Sequence, residues 1–159
     1  MKTDPAQQHR WLQKLLGEWT YVSEADMGPD QPPYKGEGSE SVRGLGELWV
    51  LLEGEGKMPD GTPGTMLMTL GYNPETNRFV GSWVGSMMTH LWVYDGELND
   101  AGTVLTLSAT GPDFEHPGQT RHYHDVIELL SDSERLLYSE IENPDGSWTR
   151  FMESRYTRR

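Results

Sequence analysis

The chain has 159 residues, a formal net charge of −12 and no cysteine. That length suits one domain burying about 70% of the surface its unfolded chain exposes, while the charge repels phosphate backbones and anionic lipid heads and so disfavours nucleic acid, membrane surfaces and acidic substrates. Without thiols there are no disulfides, cysteine nucleophiles or cysteine-ligated zinc sites.

The opening "MKTDPAQQHR" lacks the apolar core of a secretory signal, and no later apolar run approaches the roughly 20 residues of a membrane span. A soluble, cytoplasmic protein is expected. Asp4, Pro5 and Gln7 read as an N-cap, a first-turn proline and a capping-box partner, and Trp11, Leu12, Leu15 and Leu16 form one helical stripe. This predicts a short helix over 5–16, ended at Gly17. From there the period switches to alternation, and short runs rich in Val, Leu, Thr, Tyr and Trp are separated by turns such as "KMPDGTPG" (57–64), "NPETN" (73–77) and "NPDG" (143–146). About ten strands are predicted, near 18–26, 37–44, 47–55, 64–72, 78–84, 88–96, 103–110, 120–130, 135–142 and 147–157. Strands joined in this way make a mainly β, single-domain antiparallel meander spanning 1–159, closing into a barrel or sandwich. No internal repeat, linker or low-complexity tract interrupts it.

Gly17-Glu18-Trp19 opens the first strand and "WTRFMESRYTRR" closes the last. In a closed meander the two pair, and an arginine laid over the indole contributes about 0.5–2 kcal/mol; Trp19 and Arg155 are read as that structural pair. The arrangement resembles the calycins (lipocalins, fatty-acid-binding proteins, avidins), which place a basic residue of the last strand over a G-x-W tryptophan. A closer likeness covers most of the chain. "HRWLQKLLGEW", "GEGSESVRGLGELWVLLE", "TLGYNPETNRFVGSWVGSM" and "MESRYTRR" resemble a bacterial family called domain of unknown function 1579, with its helix into G-x-W and its terminal Tyr-x-Arg. Asn73 stands where that family commonly has Asp, and "RGLGEL" replaces a double glycine. The resemblance implies a lipocalin-like barrel of about ten strands and no assigned reaction.

The eighth strand, "TRHYHDVIE" (120–128), carries the sharpest candidate chemistry. One face holds His122, His124, Val126 and Glu128; the other holds Arg121, Tyr123, Asp125 and Ile127. An H-x-H pair with a following Glu suits a shared metal, as in cupins. No histidine follows His124, however, so only His9, His90 or His116 could complete a triad. If the other face lines the barrel, Arg121 and Tyr123 form an interior R-x-Y anchor for a carboxylate, as in fatty-acid-binding proteins; if not, Arg121 sits in a surface ion pair. Six tryptophans, seven tyrosines and eight methionines suit an apolar cavity with a few polar groups as well as a filled core. Trp83, His90, Trp92, Arg121, Tyr123 and Tyr138 are the candidate lining residues, with "GPDFEHPGQ" (111–119) as rim or lid.

Motifs for a nucleophile elbow, phosphate loop, dinucleotide site or zincin are absent. The sequence therefore points to a barrel binding a small apolar or amphipathic ligand, with no catalytic residue, cofactor or metal assigned. Two alternatives stand beside it: a barrel enzyme using an internal acid or base or a His122/His124 metal, and a non-catalytic homodimeric module.

Overall fold

Leucines and tryptophan at helical spacing make the first element of the computed structural model, which describes residues 1–159. Helix α1 (Gln7–Leu12) tightens into a 3₁₀ turn, Gln13–Leu15. It starts later than expected because Asp4 does not cap it. The Ala6 N–H donates instead to His9 Nδ1 (2.8 Å), which leaves the ring proton on Nε2 to be donated to the Tyr72 carbonyl (3.0 Å). One imidazole thus starts the helix and ties it to the sheet. Gly17, at φ +125°, makes the sharp exit that a side chain would resist.

Ten strands follow: β1 (Gly17–Ala25), β2 (Tyr34–Leu45), β3 (Trp49–Lys57), β4 (Pro63–Asn73), β5 (Arg78–Gly85), β6 (Trp92–Leu98), β7 (Val104–Pro112), β8 (Thr120–Leu129), β9 (Glu134–Glu142) and β10 (Trp148–Arg158). Each pairs antiparallel with its chain neighbours, and β1 with β10, so the sheet is a closed barrel without a free edge. Closure runs from Trp19 opposite Arg158 to Ala25 opposite Met152. β10 carries a bulge between Arg150 and Met152, which shifts Phe151 out of register. Only β6 departs far from expectation, starting at Trp92 rather than near 88. His90 therefore lies before the strand, not on it.

Alternation decides what the barrel contains, and its two ends differ. At one end α1 and the 3₁₀ turn act as a stopper. The Trp11 indole donates to the Gly102 carbonyl (2.7 Å) in the β6–β7 connection and its ring meets Phe79 edge to face. Beneath it Leu15, Trp19, Leu70, Leu105 and Ile127 are each at most 1% exposed. At the other end, where β1–β2, β3–β4, β5–β6, β7–β8 and β9–β10 connect, inward residues are only partly covered. Ser23, Met66, Trp83, Ile141 and Met152 all remain half-buried. The interior is fully covered at the helix end and only partly covered at the mouth.

Candidate functional site

The floor between these halves is ionic. Arg135, on the inner face of β9, is 1% exposed and pairs with the Glu40 carboxylate of β2. Its guanidinium lies 4.6 Å from the Trp19 ring centroid and 3.9 Å from that of Tyr156, so two aromatic faces share one cation. Burial raises Glu40 above the usual carboxylate range, and the charge and hydrogen bond of Arg135, a guanidinium that stays protonated, pull it back. Trp19 is also covered by Arg158, 4.2 Å from the ring centroid. That arginine also donates to the carbonyls of Lys14 (2.8 Å), Leu16 (2.5 Å) and Asp132 (2.9 Å), clamping the helix end onto the barrel. Arg155, expected over Trp19, points outward to Glu134 instead (2.7 Å). Strand parity explains the correction, since Tyr156 and Arg158 share the inner face and Arg155 falls between inward positions.

Above this floor, β8 turns its Arg121, Tyr123, Asp125 and Ile127 face inward. Tyr123 is buried, meets Trp92 edge to face (5.0 Å), and donates its hydroxyl proton to the Pro112 carbonyl (2.6 Å). Arg121 stands half-buried at the mouth and donates to the Glu142 carbonyl (2.5 Å). Trp92 points inward, its indole N–H directed at the Met88 sulfur (3.2 Å), and Trp83 packs beside the core with part of its surface free. His90, though outside β6, still reaches Trp92 edge to face (4.8 Å) and hydrogen-bonds the Thr110 carbonyl (3.2 Å). Five of the six expected lining residues thus meet at or near the mouth. Tyr138 does not: Arg135 and Ser139 hold the inner face of β9, which sends Tyr138 outside, under the Arg150 guanidinium at 3.5 Å.

Glycines let the large side chains lie flat on the wall. Any Cβ at Gly38 or Gly56 would strike the Tyr21 ring or hydroxyl, and one at Gly111 would strike Trp92. The expected rim loop is stapled in place. Asp113 accepts from the Glu115 N–H (2.9 Å), the His116 N–H (3.2 Å) and His116 Nδ1 (3.0 Å). These bonds outweigh burial and hold its carboxyl below the ordinary range. Phe114, two-thirds exposed, stands at the tip of the loop.

Besides Glu40 and Arg135, sequence reasoning passed over a third inner polar residue. Asp125, midway along β8, accepts a hydroxyl hydrogen bond from Tyr94 of β6 and another from Ser139 of β9 (2.5 Å). Burial raises its carboxyl above the usual range, against the two hydroxyl bonds and neighbouring His124. Burial, then the Asp125 charge, pushes the Tyr94 phenol well above its ordinary value. The signal was present, because Asp125 shares parity with Tyr123 and Ile127, but it was hidden among 25 acidic residues.

The histidine pair faces away from this interior. His124 Nδ1 meets Glu140 (2.9 Å) with its ring stacked on Trp148 (3.6 Å, 11°), and His122 meets the Thr110 hydroxyl (3.3 Å). Neither belongs to a group of three possible metal ligands; such a group forms instead from Asp113, Glu115 and His116 in the rim loop. Glu53 and Glu55 also point outward, Glu53 pairing with Arg43 (2.9 Å), as a solvated face should.

A family model described as "Protein of unknown function (DUF1579)" matches residues 4–158. The chain belongs to this family. The expected resemblance is therefore borne out along nearly the whole chain, and the ten-stranded barrel with it. No curated protein sequence matches. Among solved structures, the crystal structure of Rv2717c from M. tuberculosis superposes with TM-score 0.61 at 13% identity, over 98% of this chain and 99% of that one. The S-type phycobiliprotein lyase CPES from Guillardia theta gives TM-score 0.61 at 12% identity, over 97% and 93%. A designed barrel, EF1p2_mFAP2b, solved bound to DFHBI, gives 0.51 at 11% identity, over 95% and 98%. At these identities the likeness is one of fold. No helix is long and apolar enough to cross a membrane.

Proposed function

We propose that this DUF1579 protein is a cytoplasmic binding protein that holds a small apolar or amphipathic ligand in the mouth half of its barrel. The observation carrying the reading is the sidedness of the interior. The helix end is filled with fully covered side chains, whereas the inward residues of the mouth, Met66, Trp83, Ile141 and Met152 among them, keep uncovered apolar surface. Aromatic and methionine walls with few polar groups are the usual make-up of a small-molecule pocket, and methionine adapts to ligand shape. Designed barrels of the same fold solved bound to DFHBI agree with this use of the architecture.

Trp83, Trp92 and Tyr123 form the walls in this reading, His90 buttresses Trp92, and Arg121 stands at the entrance. Native mass spectrometry and tryptophan quenching against fatty acids, retinoids, haem and aromatic acids test it. A stoichiometric complex that quenches the wild type, and quenches Trp92→Phe less, supports the reading. No complex with any class overturns it.

A further inference from the structure

The floor of the proposed ligand site has an unbalanced charge, and that imbalance names the ligand. Glu40 and Arg135 neutralise each other, and Arg158 is engaged with Trp19 and three carbonyls at the helix end. Arg121 stays at the mouth on the Glu142 carbonyl. Asp125 is different: its two partners, Tyr94 and Ser139, are neutral hydroxyls. The one inward cation of the strands paired with β8, Arg135 of β9, is held by Glu40 and makes no bond to Asp125. Inward positions of β7 near it are Leu107 and Ala109, and those of β9 are Leu137, Ser139 and Ile141. β6 contributes Tyr94, the floor across the barrel contributes Tyr21 and Glu40, and His124 on the same strand points out to Glu140.

A carboxylate offers about four acceptor positions, and the two hydroxyls occupy about half of them. Asp125 as a residue is not fully enclosed, and its two hydroxyl partners leave acceptor positions of the carboxylate unused. A buried charge with neither counterion nor full hydrogen bonding is costly, and a cation entering the pocket relieves that cost. The carboxylate anchor expected from Arg121 and Tyr123 is not assembled in the interior, because Tyr123 gives its proton to Pro112 and Arg121 holds back at the rim.

Building on the proposed ligand-binding function, we infer that the ligand carries a protonated amine on an apolar body, and that Asp125 receives the ammonium group while Trp83, Trp92 and Tyr123 enclose the body. Tyr94 and Ser139 are positioning residues that aim the carboxylate. The aromatic walls favour the same class, since ring faces attract cations and repel carboxylates.

Three probes sharing one ring system test this: 2-naphthylmethylamine, 2-naphthylmethanol and 2-naphthoate, titrated into the intact protein at about pH 7 with calorimetry or tryptophan quenching. The amine is expected to bind at least about tenfold more tightly than the alcohol, as a charge-assisted hydrogen bond allows, and the naphthoate most weakly. Asp125→Asn should bring the amine down to the alcohol while leaving the alcohol nearly unchanged. A second measurement needs no variant: on wild type, acidifying to about pH 4, near the ordinary aspartate range, should erode the amine preference by protonating the carboxyl. Naphthoate binding as tightly as the amine overturns the inference, as does a preference that survives in Asp125→Asn or does not fall on acidification. If fatty acids or retinoids bind but the amine gains nothing, this inference fails alone. If neither they nor the naphthyl probes bind, the ligand-binding reading falls with it.

Discussion

Replacing Arg135 with alanine leaves the Glu40 carboxylate buried beside Tyr21 and Tyr156 without its ion-pair partner. Removing one member of a buried pair typically costs about 3–5 kcal/mol. The lost contacts with Trp19 and Tyr156, about 0.5–2 kcal/mol each, overlap that figure rather than add to it. For a chain of this size about 1 kcal/mol moves the midpoint by about 2–4 °C, so Tm should fall by about 6–20 °C. Arg135 Nε has no hydrogen-bond partner, so the wild-type pair is itself imperfectly satisfied. Removing both charges with apolar residues, Glu40→Leu with Arg135→Met, should therefore recover most of the loss. The sign of the pH effect follows from linkage. Without Arg135 the burial that raises Glu40 is unopposed, so the folded state holds a proton that the unfolded state releases above about pH 4.3. The deficit of Arg135→Ala relative to wild type should shrink as pH falls from about 7 towards 4. Thermal and urea unfolding followed by circular dichroism measure all three quantities. A loss below about 1 kcal/mol, or a double variant no better than Arg135→Ala, would refute the reasoning.

Arg158→Ala, which removes three carbonyl contacts and the cover of Trp19, should cost about 2–3 kcal/mol in urea unfolding. Arg155→Ala, breaking an exposed pair with Glu134, should cost no more than about 1; reversed magnitudes would mean that the wrong arginine covers the indole. Asp125→Asn should equal or exceed wild type in stability at neutral pH, because burial raises the folded carboxyl and charging it opposes folding. Relative to this variant, wild type should gain stability on acidification, with the gain complete below about pH 3.9, the unfolded value. Paired chemical denaturation at two pH values gives the sign. Tyr138→Phe should leave ligand affinity untouched, since its ring lies outside under Arg150, whereas Trp92→Ala should weaken binding of any ligand that quenches the wild type; equal effects in a titration would contradict the assignment of faces.

Local pattern carried a long way in this chain. Turn chemistry at Pro, Gly, Asn and Asp marked nearly every connection, and strands such as β8 and β9 lie within a residue of their expected bounds. The strand that strayed, β6, did so because "MMTHLW" holds no Gly, Pro, Asn or Asp to mark a turn, yet forms a connection whose Met88 N–H bonds back to the Gly85 carbonyl. The helix start strayed for a related reason: Asp4 has the right chemistry for a cap, but a histidine fixed by Tyr72, far along the chain, does the work. Among the candidate lining residues, the inward placement of Trp92 was legible from type and parity, whereas that of Tyr123 was one of two open choices for β8. Arg135 and Tyr138 were not, because strand β9, "ERLLYSEIE", carries polar and apolar groups on both faces.

By itself, then, the order of residues determined a ten-stranded antiparallel meander, which the family resemblance narrowed from barrel or sandwich to barrel. Alternation and turn residues are local properties, and a meander of antiparallel neighbours needs little else. It also placed a tryptophan at the start of β1 and arginines at the end of β10, where closure brings them together. Which arginine covers that tryptophan, which face of β8 lines the interior, and that Asp125 rather than His122 and His124 stands there, were decided only by tertiary structure. The physical reason is that a strand offering plausible side chains on both faces has no preferred inside until its neighbours close around it. Arg135 and Glu40, 95 positions apart, must meet in the interior, and the register that lets them do so sets the face of every strand beside them.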